Sequence, residues 1–351
     1  MNELKGLRVV VAGAGAIGSV CALILARRGA LVRLADPAAL GDNASGVAAG
    51  MLAPASEALL DPKSADHFAL LKEARIAWDR LLPGLAQGLD RSGAILQAFD
   101  PEKFLDAARA AGMALEPLSE DEARRRAPGL GADGPFLFTP EDWRLEPSSM
   151  LAALHAGLAE AGGAVTGEDV VGFDSGRVSL ASGGEVEADV LIQATGPGVG
   201  DLKPIKGQIL RFVGAGPARG PVVRGEGVYV APSAGGAVVG ATMEEGRADR
   251  DIDPDAVARL AAGARRLFPA LETAEVLARA GVRAATPDGL PLVGPQAGAG
   301  AGEGVLVARG ARRNGWLLAP LIAEVLLDRL AGRPKSAAAQ AFDPARLPTL
   351  R

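Results

Sequence analysis

The chain has 351 residues, 48% hydrophobic and 23% charged, the profile of an ordinary globular protein long enough for two domains. Its formal net charge of −5 gives no electrostatic reason to expect nucleic acid or an anionic membrane as partner. A single cysteine, Cys21, excludes an internal disulfide and any cysteine-cluster metal site, and no metal is expected.

From the start of the chain, Leu7 to Ala12 is an apolar run that reads as a strand buried on both faces. It enters three glycines, Gly13, Gly15 and Gly18, and the pattern turns helical from Ala16 and Ile17 to Arg28, with Gly29 ending the helix. A second strand, Leu31 to Ala35, ends at Asp36. Strand, tight turn, helix, strand and acid are the dinucleotide fingerprint in its required context. Gly13 allows the turn, Gly15 removes a Cβ where a pyrophosphate approaches, and Gly18 lets helix pack on strand. The helix N-terminus presents N–H groups to phosphate, and Asp36 can accept the ribose hydroxyls. By itself this motif does not separate FAD from NAD.

Residues 38 to 55 read as a loop rich in Gly, Ala and Ser, including Ser45 and the run Ala48 to Pro54, a backbone pressed against something flat and large. An amphipathic helix follows over about 64–82, and 83–135 mixes short helices with Pro/Gly breaks. The Arg124–Arg126 run reads as a solvated helix face. A strand near 136–138 leads into a helix near 148–161, then into alternating strands around the Asp174-Ser175-Gly176 turn. Asp189 to Pro197 reads as a buried parallel strand ending at Thr195 and Gly196. Strands at 208–213, 227–231 and 237–242 form an antiparallel set, and a helix at 254–268 precedes a strand at 275–285. The last unit is a strand at 304–308, a loop at 309–314 and a helix beginning near Gly315. His67 and His155 lie on predicted helices and read as structural.

The fold class is mixed α/β: a Rossmann-type nucleotide domain at 1–80, 140–204 and 275–351, interrupted by a second domain with an antiparallel sheet at 81–139 and 205–274. Only one glycine fingerprint is present, so a separate NAD-binding Rossmann fold is not expected. No signal-peptide layout is seen, and the most apolar helix, 316–330, is interrupted by Pro320 and Glu324. The expected location is cytoplasmic, without membrane insertion.

Several runs occur in an order that resembles one family: the fingerprint with Asp36, AAGMLAP at 48–54, KGQIL at 206–210, VYVAP at 228–232, GATM at 240–243, ATPDGLPLVGP at 285–295 and RRNGWLLAP at 312–320. Together they resemble the D-amino-acid-oxidase-like FAD amine oxidoreductases, in particular the glycine oxidase branch associated with thiamine biosynthesis. The resemblance implies FAD held by Gly13, Gly15, Ala16, Ile17, Gly18 and Asp36, with Ser45, Ala49, Gly50 and Met51 along the flavin and pyrophosphate. Thr195, Gly196, Asn314, Gly315 and Trp316 complete the implied cofactor set. It implies further that Arg283 pairs with the carboxylate of a small amino-acid substrate, that Tyr229 assists, that Met243 lines the pocket and that Arg313 closes it. The implied reaction oxidises the amino acid to an imine and then an oxo-acid, with O₂ reduced to H₂O₂, and thiazole-synthesis proteins are the implied partners. A D-amino-acid or sarcosine dehydrogenase delivering electrons to a quinone, and a flavin-binding module with little turnover, remain open at this point, as does a homo-oligomeric state. The chain departs from the family at Asp36, where Glu is commoner, and at Ser233, Ala284, Ala311 and Arg312.

Overall fold

In the computed structural model, which describes residues 2–198, 202–296 and 303–347, the Arg8–Ala12 strand lies inside a six-stranded sheet. The parts of the expected domain ranges at 1, 199–201, 297–302 and 348–351 fall outside the described residues. Arg8–Ala12 pairs in parallel with Leu31–Ala35 on one side and Val190–Gln193 on the other. Ala164–Thr166 and Val305–Arg309 extend the parallel sheet, and Leu292–Pro295 closes one edge antiparallel. Because successive side chains point to opposite faces, Val9 and Val11 enter a core shared with the Ala16–Arg27, Pro147–Glu160 and Gly315–Leu330 helices. Val10 and Ala12 pack instead against a three-stranded antiparallel sheet at residues 170–187, with Val178 and Leu180 among their neighbours. That small sheet turns at Ser175 and Gly176, both with positive φ, as its Asp-Ser-Gly turn predicts.

The second sheet has nine strands. Lys203–Val213 is its spine, pairing with Glu275–Ala285 along one side and with Gly236–Gly240 and Glu244–Glu245 on the other. Val228–Ser233 and Val222–Gly225 continue it, and Ala94–Gln97, Phe136–Thr139 and Glu116–Leu118 complete it. Glu275–Ala285 therefore belongs to this sheet, not to the nucleotide sheet with which its position in the chain groups it. Periodicity marks a strand but not its partner, and the partner here lies some 70 residues away in the chain. The sheet is mixed and not purely antiparallel, since Ala94–Gln97 runs parallel to Val222–Gly225. Leu210, Val223, Val230 and Val239 pack under the Pro254–Leu267 helix, while Ile209, Tyr229, Ala231 and Val238 turn to the opposite face against Val47 and Ala49.

Residues 38–55 are not the continuous loop their composition suggests. Asn43 Oδ1 accepts from the Ser45 and Gly46 N–H groups and caps a short Ala44–Val47 helix. Pro54 opens a second helix, Pro54–Leu60, whose first turn donates Ala55 N–H and Ser56 N–H to the Asp142 carboxylate. Both helices are too short for periodicity to reveal. Among the described residues no helix is long and apolar enough to cross a membrane.

Candidate active site

The glycine turn is built as its spacing requires. Gly13 has φ +102°, and a Cβ there would lie 2.5 Å from the Ala194 carbonyl oxygen. A Cβ on Gly18 would lie 1.8 Å from the Gly13 carbonyl oxygen, so this position keeps helix and turn in contact and does not line the cavity. Ser45 Oγ accepts from Ala16 N–H at 2.9 Å, tying the helix N-terminus to the 44–51 segment. At the end of the second strand, Asp36 accepts from Ala14 N–H at 2.7 Å and from Ala38 N–H at 2.8 Å, one bond to each carboxylate oxygen.

A cavity of about 400 Å³ starts at this turn. Gly13, Gly15, Ala16, Ile17, Asp36, Ser45, Thr195 and Gly196 line its first part, and Arg283, Arg313, Gly315 and Trp316 its far end. A second cavity, of about 360 Å³, adjoins it. Ala49, Gly50, Met51, Glu57, Arg224, Tyr229, Met243 and Asn314 line this one, and Ala48, Arg283, Arg313 and Trp316 border both. The sites expected from the sequence thus gather around two adjoining spaces, Gly18 excepted.

Backbone pairing holds the two arginines at the junction. Arg312 N–H donates to the Ala284 carbonyl at 2.9 Å, and Ala285 bridges Ala311, so the strand carrying Arg283 abuts the loop carrying Arg313. Arg283 Nη1 lies 3.3 Å from the Met243 sulfur and 3.5 Å from the Thr242 carbonyl oxygen, and no carboxylate lies within ion-pair distance among the described residues. Burial pushes the guanidinium below its ordinary value, opposed by Tyr229. Arg313 is held differently: its Nη2 donates to Glu57 Oε1 at 3.0 Å. Burial pushes the Tyr229 phenol up to about 12, although Arg283, Arg224 and Arg313 all act to lower it.

Three residues of this site escaped sequence reasoning. Gly207 lies on the strand beside Arg283, and a Cβ there would lie 2.3 Å from Nη1 of Arg283, so the glycine of KGQIL is the space the guanidinium occupies. Glu57 is buried within a short apolar helix, where a lone carboxylate is itself a signal. Arg224 is a charge inside a buried strand, the same kind of signal. His155, read as structural, has its Nε2 3.1 Å from Ser19 Oγ.

Residues 8–329 match the family described as FAD dependent oxidoreductase. The chain is 30% identical to a glycine oxidase of Geobacillus kaustophilus, covering 91% of this chain and 92% of that protein. An oxidoreductase ThiO of Rhizobium etli, assigned to thiamine biosynthesis, is 31% identical over 92% of this chain and 96% of its own. The crystal structure of glycine oxidase from Geobacillus kaustophilus superposes with a TM-score of 0.84, at 27% identity, over 96% of this chain and 98% of that one.

The chain belongs to the FAD-dependent oxidoreductase family. It is a glycine-oxidase-like enzyme with FAD as its cofactor. The first cavity fits that cofactor. A Cβ on Gly15 would meet only Ser45, and one on Gly315, at the start of the last long helix, would meet nothing within 4 Å, so backbone is bare at both ends. Thr195 Oγ1 is buried along the same wall without a hydrogen-bond partner.

Proposed function

We propose that the protein oxidatively deaminates a small amino acid, with the six-stranded sheet carrying FAD and the nine-stranded sheet carrying the substrate. The overall balance is amino acid plus O₂ plus water giving oxo-acid, H₂O₂ and ammonia, or the corresponding primary amine where the nitrogen carries a substituent. FAD, when bound, supplies the hydride acceptor and the route of the electrons to O₂.

The observation that carries this reading is Arg283: a guanidinium with only a sulfur and a carbonyl for neighbours, at the junction of the two cavities. A half-buried guanidinium with no ion-pair partner among the described residues is costly and is the mark of a site that awaits an anion. A guanidinium fork binds a carboxylate in two parallel hydrogen bonds and so fixes the position of the substrate Cα. The Tyr229 phenol, protonated at neutral pH as an ordinary phenol is, donates its hydroxyl hydrogen to the same carboxylate. Met243 and the Thr242 carbonyl hold Arg283 in place, and the Glu57 pairing holds Arg313 at the cavity border. The remaining lone pairs of Asp36 take the ribose hydroxyls, and Gly13, Gly15, Ala16, Ile17, Ser45, Thr195, Gly196, Gly315 and Trp316 line the cofactor's length. Ala49, Gly50, Met51 and Asn314 line the second cavity, beside Ala48 and Trp316, which border both cavities. A place in thiamine biosynthesis is supported by the similarity to ThiO, and in that setting the imine passes to thiazole-forming proteins.

The test is an anaerobic screen of flavin bleaching across glycine, sarcosine, iminodiacetate and D-amino acids, followed by O₂ and peroxide stoichiometry with the best substrate. Bleaching by none of them overturns the proposal. Bleaching without peroxide on admission of O₂ assigns a dehydrogenase instead.

A further inference from the structure

The substrate cavity holds more positive charge than one carboxylate can answer. Arg224, Arg283 and Arg313 line it, and Glu57 is the one carboxylate among the described residues around it. Glu57 is engaged by Arg313 at 3.0 Å, which leaves two guanidinium groups without an acid.

Arg224 is the less expected of the two. It lies on the Val222–Gly225 strand, directly opposite Tyr229 across the hairpin, and is only 6% exposed. One Nη sits 3.1 Å from the Met51 sulfur, its carbon lies 5.8 Å from the Tyr229 ring centre, and its Nε is buried without a partner. Neither neighbour carries charge. The acid nearest in influence, Asp142, makes no ion pair with it: its oxygens accept from the Ala55 and Ser56 N–H groups, and burial raises its pKa while the charge of Arg224 acts to lower it. Arg224 is therefore a buried, charged donor set lining a cavity, with no carboxylate in ion-pair contact among the described residues, and a ligand carboxylate can supply that contact.

We propose that Arg224 binds a second carboxylate, and that the substrate class is amino compounds bearing two carboxylates, one on the reacting carbon and one a short chain away. This rests on the reading of Arg283 as the anchor of the first carboxylate. Two carboxylates on an otherwise neutral amine neutralise the two unanswered guanidiniums, whereas glycine or D-alanine leaves one of them buried and bare. Acidic D-amino acids and N-carboxymethyl amino acids share this chemistry. They differ in whether the second carboxylate is reached through the side chain or through nitrogen.

The experiment uses the FAD-loaded protein and two readouts. In the first, kcat/KM is compared for D-aspartate, D-glutamate and iminodiacetate against glycine, sarcosine and D-alanine, in wild type, Arg224→Met and Arg224→Lys. The expected result is a wild-type preference for at least one dicarboxylate. Arg224→Met should shrink that preference by at least about 30-fold, the scale seen when one partner of a desolvated charge pair is removed. Arg224→Lys should restore part of it. Activity with D-aspartate or D-glutamate assigns the side-chain route, and activity with iminodiacetate the nitrogen route. In the second readout, succinate and butyrate are titrated against the flavin spectrum, which requires no turnover. Succinate should bind wild type at least about 10-fold more tightly than butyrate, and the difference should vanish in Arg224→Met. Equal binding of the two acids by wild type, or an unchanged dicarboxylate preference in the variants, overturns the inference. Tight succinate binding without flavin bleaching by any amine would instead overturn the proposed oxidase activity and leave the second carboxylate site standing.

Discussion

Gly207→Ala should impair the enzyme while leaving its fold intact. A methyl group at this position would lie 2.3 Å from one terminal nitrogen of Arg283, 2.5 Å from the other and 2.6 Å from the carbon between them. Ordinary contact is about 3.5–4.0 Å, so the guanidinium must move by about 1 Å or more. The obstructed group is the end of a flexible side chain, not backbone, and the strand geometry of Gly207 suits alanine. Replacing glycine by alanine also narrows the unfolded ensemble, worth about 0.4–1 kcal/mol in favour of the fold. The net change in stability should therefore stay within about 1 kcal/mol. Catalysis is less forgiving, because a misplacement of about 1 Å at a positioning contact can cost about 100-fold. The assay is kcat/KM on the best amino acid, alongside thermal unfolding and the FAD-to-protein ratio. Kinetics within about threefold of wild type in a folded, yellow variant would show that the position of Arg283 is not what the cavity depends on. Gly18→Ala is the contrasting control: its methyl would lie 1.8 Å from backbone oxygen, and FAD content and fold should both suffer.

Arg283→Ala should keep FAD and fold but lower kcat/KM by an amount equivalent to roughly 2–5 kcal/mol, with Arg283→Lys recovering only part. Amines without a carboxylate should respond little to either change. The Tyr229 phenol, raised to about 12 by burial, contributes stability that is complete below the ordinary phenol value of about 10 and is lost as pH rises from there through about 12. Denaturant midpoints of wild type should thus fall more steeply than those of Tyr229→Phe above about pH 10, and parallel curves would count against the buried phenol. Burial raises the Cys21 thiol likewise to about 12, so a thiol reagent at neutral pH should label it only on unfolding; labelling of the native protein at the rate of a free thiol would place it at the surface.

The nucleotide half of the fold was legible because its signals are local. Strand, glycine turn, helix and acid follow one another within residues 7–36, and each is read from its immediate neighbours. The Asp174-Ser175-Gly176 turn was readable for the same reason. Elements that depend on distant partners were not. The Glu275–Ala285 strand alternates well enough to be recognised, but its place is decided by pairing along Lys203–Val213. The Ala44–Val47 and Pro54–Leu60 helices rest on Asn43 and Asp142 as caps, and the second of these residues lies more than 80 residues away in the chain. Such a cap leaves no trace in the helix's own composition.

The site divides along the same line, with one residue on the wrong side of it. Arg283 gained a role only through resemblance, because nothing near it in the chain tells that Gly207 vacates the space for its guanidinium. Arg224 is different. In Val222 to Ser233 the two residues Glu226 and Gly227 make the turn, Gly227 taking a positive φ. A two-residue turn sets Gly225 opposite Val228 and therefore Arg224 opposite Tyr229, on one face of the sheet. Once Tyr229 is assigned to the substrate face, alternation places Arg224 there with no further information. Val223 and Val230, one step along each strand, go to the other face and into the core beneath the Pro254–Leu267 helix. A charged residue that alternation sends to the same buried face as a site tyrosine is thereby a candidate ligand-binding group, and in this hairpin the register needed to see it is set by twelve consecutive residues.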